Sequence, residues 1–351
     1  MEYSPSLEIE GSLETGCLVS TKSSHPSVKD EAAWVQAIRS KDAVLSMPQT
    51  IAHRGYSSKF PENSMNAFKH AIDVGAHAIE TDVHLSRDGV VVLCHDSTLK
   101  RCFGVDKRVV DCDWKYLSTL RTLKEPHEPL PRLVDLLEYI ASPERAHVWI
   151  LLDIKVDNNT HNVIAGLADA LASVPSPNRP WDERVVLGCW TAEYLSLVRD
   201  HFPTYPLAIT TFSIQYARQF LRVPGVSISI NQKVLMGCGG RKFLAQAKRV
   251  GKAVFVWTVN HKALMWWSIR HQVDGVITDR PAVFGEIGKE LEDDDYGDGF
   301  LGNGEAMGME QRMAAMVATV ASWVLGVLLM VMHPVKRTGL DGVDEETIPY
   351  A

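Results

Sequence analysis

From residue 49 to about residue 288, short apolar runs alternate with stretches in which apolar residues recur at helical spacing. Thr50, Ile51 and Ala52 form a run that ends at His53. Met65, Ala67, Phe68, Ala71, Ile72 and Val74 mark one face of a helix over 63–74, and Gly75 stops it. Residues 78–85 and 89–95 are two further extended runs, and Asp88-Gly89 between them predicts a tight hairpin turn. Helices are predicted over 113–123 and 133–140, then a long buried strand over 147–155 that ends in charge, then a helix over 162–171. Strands follow at 185–190, 207–211, 226–230, 253–259 and 275–278, with helices notably over 214–221, 241–250 and 262–271.

Continuous apolar strands alternating with amphipathic helices imply a parallel sheet covered by helices. About eight such units over roughly 240 residues point to a closed TIM-type (β/α)8 barrel, which typically takes about 250. A doubly wound open sheet is the alternative, but no glycine-rich dinucleotide loop follows the first strand. The barrel carries an expectation of its own: catalytic groups should gather where the strands end. His53 and Arg54, Glu80 and Asp82, Asp153 and Lys155, Trp257 and Asn260, and Asp279 all sit at or near such ends.

The pattern changes at both flanks. Residues 1–45 are rich in Ser, Glu and Lys and only weakly periodic, so they read as a flexible arm with the makings of a short helix over 31–40. Residues 46–288 form the barrel domain, and 289–312 are an acidic, glycine-rich linker. Residues 313–332 carry no charge and are long enough to cross a membrane, so a C-terminal transmembrane helix is expected there, followed by a polar tail over 333–351. A long core helix is the alternative, but the acidic linker sets the segment apart from the barrel. Ala318, Ser322 and Gly326 form a row of small residues that could pack against another helix, including one from a second copy, or could reflect composition alone. Lys336 and Arg337 beyond the segment weakly favour a cytoplasmic C-terminus, whereas an anchor without an N-terminal signal favours a cytosolic barrel.

Composition narrows the class. The hydrophobic fraction of 46% is ample for a large core, and the net charge of −7 argues against a nucleic-acid binder. Six scattered cysteines without a CxxC pair read as reduced thiols, and no signal peptide opens the chain. The expectation is a protein that is not secreted but held at an intracellular membrane by a single-pass C-terminal anchor, with mitochondrial, ER and lipid-droplet surfaces as candidates.

The chemistry starts with Glu80 and Asp82, two apart on one strand and therefore on one face. Two carboxylates that close need a cation between them, or one must be protonated. Oxygen ligands of this kind suit Mg²⁺ or Ca²⁺, and Asp153 at the end of another strand could be a third ligand. A solvated edge face is the plainer reading, which the buried run leading to Glu80 disfavours. His53 and His95 flank the acids and could serve as an acid–base pair near neutral pH. A lone histidine is more often structural, and position singles out these two among 13. Arg54 and Lys155 could bind phosphate oxygens. Trp257 could wall the site or simply fill the core. His84 shares the Glu80/Asp82 face but is not expected to act directly.

These motifs run in the order found in the glycerophosphodiester phosphodiesterase family, which the chain resembles over residues 49 to 288: His53-Arg54-Gly55, Pro61-Glu62-Asn63-Ser64, Glu80-x-Asp82, Asp88-Gly89, His95-Asp96, Trp257-Thr258-Val259-Asn260 and Gly275-Val276-Ile277-Thr278-Asp279. The resemblance implies a TIM barrel of the PI-phospholipase C-like phosphodiesterase kind, a divalent metal, and hydrolysis of glycerol-bearing phosphodiesters. It further implies His53 and His95 as acid and base, Glu80, Asp82 and Asp153 as metal ligands, and Arg54 and Lys155 on the phosphate. Many members have Glu where this chain has Asp153, and Thr where it has Ser64. Leu152-Asp153-Ile154-Lys155, the stretch from Arg184 to Trp190 and the apolar C-terminal segment are similar to the fungal phosphatidylglycerol phospholipase C branch. A phospholipid in a membrane is therefore the expected substrate. Deacylated glycerophosphodiesters, a sphingomyelinase D-like reaction and an inactive lipid-binding barrel are the alternatives.

Overall fold

Alternation with a period of two decides which strand side chains face inward, and strand register decides which of them meet. In a computed structural model of the chain, described for residues 32–38, 46–293 and 308–333, nine strands form: β1 (Gln49–His53), β2 (Ala78–Leu85), β3 (Val91–Leu93), β4 (Trp149–Ile154), β5 (Val185–Cys189), β6 (Leu207–Thr211), β7 (Val226–Asn231), β8 (Val254–Trp257) and β9 (Gly275–Thr278). All but β3 are parallel, and β9 pairs with β1 to close an eight-stranded barrel. β3 is the expected hairpin partner of β2, antiparallel to it through Val83–Leu93 and Leu85–Val91.

A helix follows each barrel strand, from Met65–Asp73 after β1 to Pro281–Asp293 after β9. Ser64 starts the first of these by accepting a hydrogen bond from the Ala67 amide. The apolar stripes of the helices and the outward strand residues Ile79, Val83, Ile150 and Leu152 make one continuous core. The inward residues Ile51, Ala78, Trp149, Leu151, Val186, Ala208, Phe255 and Ile277 make a second core that fills the barrel. The opposite parity of the two sets along β2 and β4 sends Glu80, Asp82 and Asp153 inward above this apolar plug.

Four expectations are corrected. The helix over 113–123 shrinks to Trp114–Leu117. The hydroxyls of Ser118 and Thr119 bond back to the carbonyls of Lys115 and Tyr116, competing with further helical turns. Residues 32–38 do not behave as an arm: Val35 is fully buried in the barrel interior, and Trp34 packs edge-on against Trp149 with ring centroids 5.5 Å apart. The Gln49 side chain locks this floor by donating to the carbonyls of Trp34 and Gln36, at 2.7 Å each, and accepting from Trp149 Nε1. The short helix expected over 31–40 is a 3-10 turn, Ala33–Val35. Finally, Pro281–Asp293 carries helix into the stretch assigned to the linker. The remainder of the arm, linker residues 294–307 and the tail from 334, with Lys336 and Arg337, lie outside the described residues.

The C-terminal apolar segment is the helix Met309–Met332, long and apolar enough over Met313–Met332 to cross a membrane. One face docks on the barrel helices Ile214–Arg218 and Gln232–Leu235. Ala315, Ser322 and Gly326 are buried there, and a side chain at Gly326 would collide with Ser213 Oγ. Tyr216 OH donates to the His333 carbonyl at 3.3 Å. The opposite face exposes Met316, Val317, Val320, Trp323 and Val324.

Gly55 carries the sharp turn out of β1. Its φ is +80°, and a Cβ there would lie 2.6 Å from the Ala67 backbone. Gly55→Ala should lose about 2–3 kcal/mol through backbone strain and this collision, read as a lower urea midpoint. An unchanged midpoint would mean that the turn adapts without cost.

Candidate active site

β1 and β2 pair with His53 opposite Glu80, and β2 and β4 pair with Asp82 opposite Asp153. Sharing the inward parity, Glu80, Asp82 and Asp153 bring carboxylate oxygens within 4.8 Å of one another while buried. Lys155 reaches back over the strand end and places Nζ 2.7 Å from Asp82 and 2.6 Å from Asp153. Arg54, in a left-handed conformation at φ 56°, donates its backbone N–H to the Glu80 carboxylate at 3.1 Å. Its guanidinium bonds Glu62 at 2.8 Å and lies 3.3 Å from Asp82 without a hydrogen bond from Nε.

Burial alone would raise the carboxyl pKa of both β2 acids. For Asp82 the charges of Lys155 and Arg54 win, and the group is held well below the usual carboxylate range. Glu80 has only weaker help from His53 and Arg54. Burial, with the neighbouring Asp82 charge, pushes it upward. Lys155 is raised because Asp153 and Asp82 outweigh its own desolvation. Three acids thus face two cations, and the one left short of positive charge is Glu80. Such a donor set fits a hard divalent ion: Glu80, Asp82 and Asp153 would hold it, and its charge would supply what Glu80 lacks.

Each histidine has a carboxylate on Nδ1. His53 Nδ1 lies 2.6 Å from Asp279 Oδ1, and Ser57 Oγ and Asn260 Nδ2 also donate to Asp279. Desolvation would lower the His53 pKa, but Glu80 and Asp279 raise it above its ordinary value. His95 Nδ1 lies 2.7 Å from Asp96. Its pKa is lowered, first by burial and then by Lys155 and Arg54 against the opposing pull of Asp82. With Nδ1 engaged in both, Nε2 is the nitrogen left for chemistry. The opposite shifts of the two rings suit one to give a proton and the other to take one.

Beside this polar centre stands an aromatic wall. Trp257 meets Phe212 at 4.7 Å and Trp190 at 6.1 Å between ring centroids, and Phe212 is exposed. Trp257 also packs on the inner core. Trp190 also lines a cleft of about 520 Å³, together with His84, His95, Ser97, Thr98 and Asp157. His84 is buried behind His95, with Nε2 3.2 Å from its carbonyl.

The mouth thus brings His53, His95, Arg54, Lys155, Glu80, Asp82 and Asp153 together, with Trp257 on the aromatic side. Sequence reasoning passed over their supports. Trp190 Nε1 donates to Asp153 at 2.8 Å, and Asn63 Nδ2 donates to Asp82 at 2.9 Å while its carbonyl oxygen accepts from Thr81. Asp96, Asp279, Asn260 and Glu62 are supports of the same kind. Several stand inside the motifs quoted above, but only a strand register discloses their partners.

A closed parallel barrel with acids, cations and two carboxylate-backed histidines at its C-terminal mouth defines a (β/α)8 enzyme built for phosphoryl chemistry. The Glycerophosphoryl diester phosphodiesterase family model matches residues 53–283. The chain belongs to this family, whose members are phosphoric diester hydrolases. It is 28% identical over 243 residues to the glycerophosphodiester phosphodiesterase of Caldanaerobacter subterraneus subsp. tengcongensis, covering 66% of this chain and 93% of that one. It is 34% identical over 132 residues to the human lysophospholipase D GDPD1, covering 34% of this chain and 40% of that one. Among solved structures, the glycerophosphodiester phosphodiesterase of Thermotoga maritima aligns with a TM-score of 0.54 at 27% identity, over 68% of this chain and 98% of that one. Family enzymes depend on a divalent metal, in keeping with the acidic cluster.

Trp190→Phe keeps the ring but removes the donor to Asp153. Loss of such a support should weaken Mg²⁺ or Ca²⁺ binding about tenfold, measured by calorimetric titration. Unchanged affinity would show that Asp153 needs no orienting bond.

Proposed function

We propose that the chain hydrolyses phosphatidylglycerol at a membrane, releasing diacylglycerol and glycerol 3-phosphate. The observation that carries this reading is the aromatic wall of Trp190, Phe212 and Trp257 beside the polar centre. The docked face of the apolar helix Met309–Met332 reaches Ser213, next to Phe212. An aromatic wall one residue from the docking point of an apolar helix suits a lipid diester. A helix held in the bilayer would also raise the local concentration of such a substrate.

The chemistry follows from the substrate. A free hydroxyl of the head-group glycerol attacks phosphorus, the bond from phosphorus to the diacylglycerol oxygen breaks, and a cyclic glycerol phosphate forms. One histidine takes the hydroxyl proton through Nε2, and the other protonates the departing alkoxide. Water then opens the ring with the two roles reversed. Asp279 and Asp96 hold the rings with Nε2 toward the reacting atoms. Arg54 and Lys155 lie where charge builds on the phosphoryl oxygens. A divalent ion held by Glu80, Asp82 and Asp153 would supply further positive charge for those oxygens.

A second reading keeps the same chemistry with deacylated glycerophosphodiesters, and the full-length similarity to enzymes bearing that name favours it. The nearby lysophospholipase D suggests a third outcome. There the free hydroxyl on a lysolipid backbone would attack, and the head group would leave.

Purified full-length protein with Mg²⁺ or Ca²⁺ separates these readings by product. Diacylglycerol formed from phosphatidylglycerol vesicles, lost about 10²–10⁴-fold in His53→Ala, is the expected result. Glycerol 3-phosphate released only from water-soluble diesters would replace the lipid reading with the second.

A further inference from the structure

His95 and Arg54 come from different loops, yet both end on one guanidinium. Arg101 belongs to the short helix Lys100–Phe103 in the segment after β3. Toward Asp96 it donates from Nε at 2.7 Å and from Nη2 at 3.0 Å. Toward Glu62 it donates from Nη1 and Nη2, each at 2.7 Å. Asp96 in turn holds His95 Nδ1, and Glu62 holds Arg54 Nη1 at 2.8 Å. The result is an unbroken chain, His95–Asp96–Arg101–Glu62–Arg54, that joins the loop after β3 to the loop after β1.

A planar fork is the one side chain that can bind two carboxylates bidentately at once. Removing it would leave Asp96 and Glu62 as like charges facing a vacated position, free to turn from His95 and Arg54. The Arg101 side chain is 48% exposed, so its ion pairs are screened and worth little for folding. The base of its helix is secured independently by the buried Leu99, whose amide bonds the Lys107 carbonyl at 2.9 Å. The network is thus better suited to geometry than to stability.

We propose that Arg101 is a positioning residue that acts through Asp96 and Glu62 to hold His95 and Arg54 in their working orientations together. The inference rests on the reading of His95 and Arg54 as parts of the phosphodiesterase site, but it is testable apart from the identity of the substrate. Arg101→Gln should lower kcat about 10–100-fold with little change in KM. Its melting temperature should stay close to wild type, and Arg101→Lys should recover only part of the activity. Because the effect runs through Glu62, Arg101→Gln combined with Glu62→Gln should be no slower than the worse single variant. Proton NMR of full-length protein supplies a readout without turnover. The downfield Nδ1–H signal of His95, assigned by its loss in His95→Gln, should broaden or vanish in Arg101→Gln. A kcat within twofold of wild type, additive losses in the double variant, or an unaltered His95 signal would each overturn the proposal. If wild type turns over no diester at all, the proposed function fails, and the NMR comparison still decides the role of Arg101.

Discussion

Three carboxylates are forced together at the mouth of this barrel by strand parity and register, and the remaining features of the site answer that constraint. Inward-facing positions along β2 run Ala78, Glu80, Asp82, and those along β4 run Trp149, Leu151, Asp153. The barrel interior is therefore apolar below and anionic above. Buried charges of one sign are expensive unless compensated. Lys155 and Arg54 meet that demand in part, by lying against Asp82 and Asp153, and leave Glu80 as the group calling for a further cation. A metal site is a consequence of this imbalance as much as of the ligand geometry.

The same logic orders the histidines. Each sits within the field of the acidic centre, and each is tied at Nδ1 to a carboxylate outside that centre. Asp279 and Asp96 thus serve orientation, while the inner acids serve charge. Asp279 reaches His53 from the end of β9, whereas Asp96 is the residue that follows His95 on the same loop. Arg101, from the short helix beyond, donates in turn to Asp96.

Around this centre a cleft of mixed lining adjoins an aromatic wall. The cleft beside His95 is lined by Ser97, Thr98, His84, Asp157 and Lys155, and Trp190 joins it to the wall formed with Phe212 and Trp257. The helix Met309–Met332 turns Ala315, Ser322 and Gly326, with Leu329 and Met330, toward the barrel and exposes Met316, Val320 and Trp323. Small side chains let helices approach closely, and bulky ones favour contact with lipid.

What the sequence determined by itself was whatever local periodicity and parity control. The alternation of runs specified a parallel barrel, and the strands at 207–211 and 275–278 and the helix at 133–140 match the structure residue for residue. The spacing of Glu80 and Asp82 placed both on one face, and Asp88-Gly89 announced the hairpin. Tertiary structure alone decided partnership. Asp279 supports His53 across 226 positions, Trp190 supports Asp153 across 37, and Arg101 meets Glu62 across 39. No periodicity encodes such pairs, because they depend on how the sheet closes and how its loops fold over the mouth. The same holds for Trp34 and Val35, which look like part of a polar arm until barrel closure creates the floor that buries them. Local pattern sets the strands, and closure of the sheet sets the site.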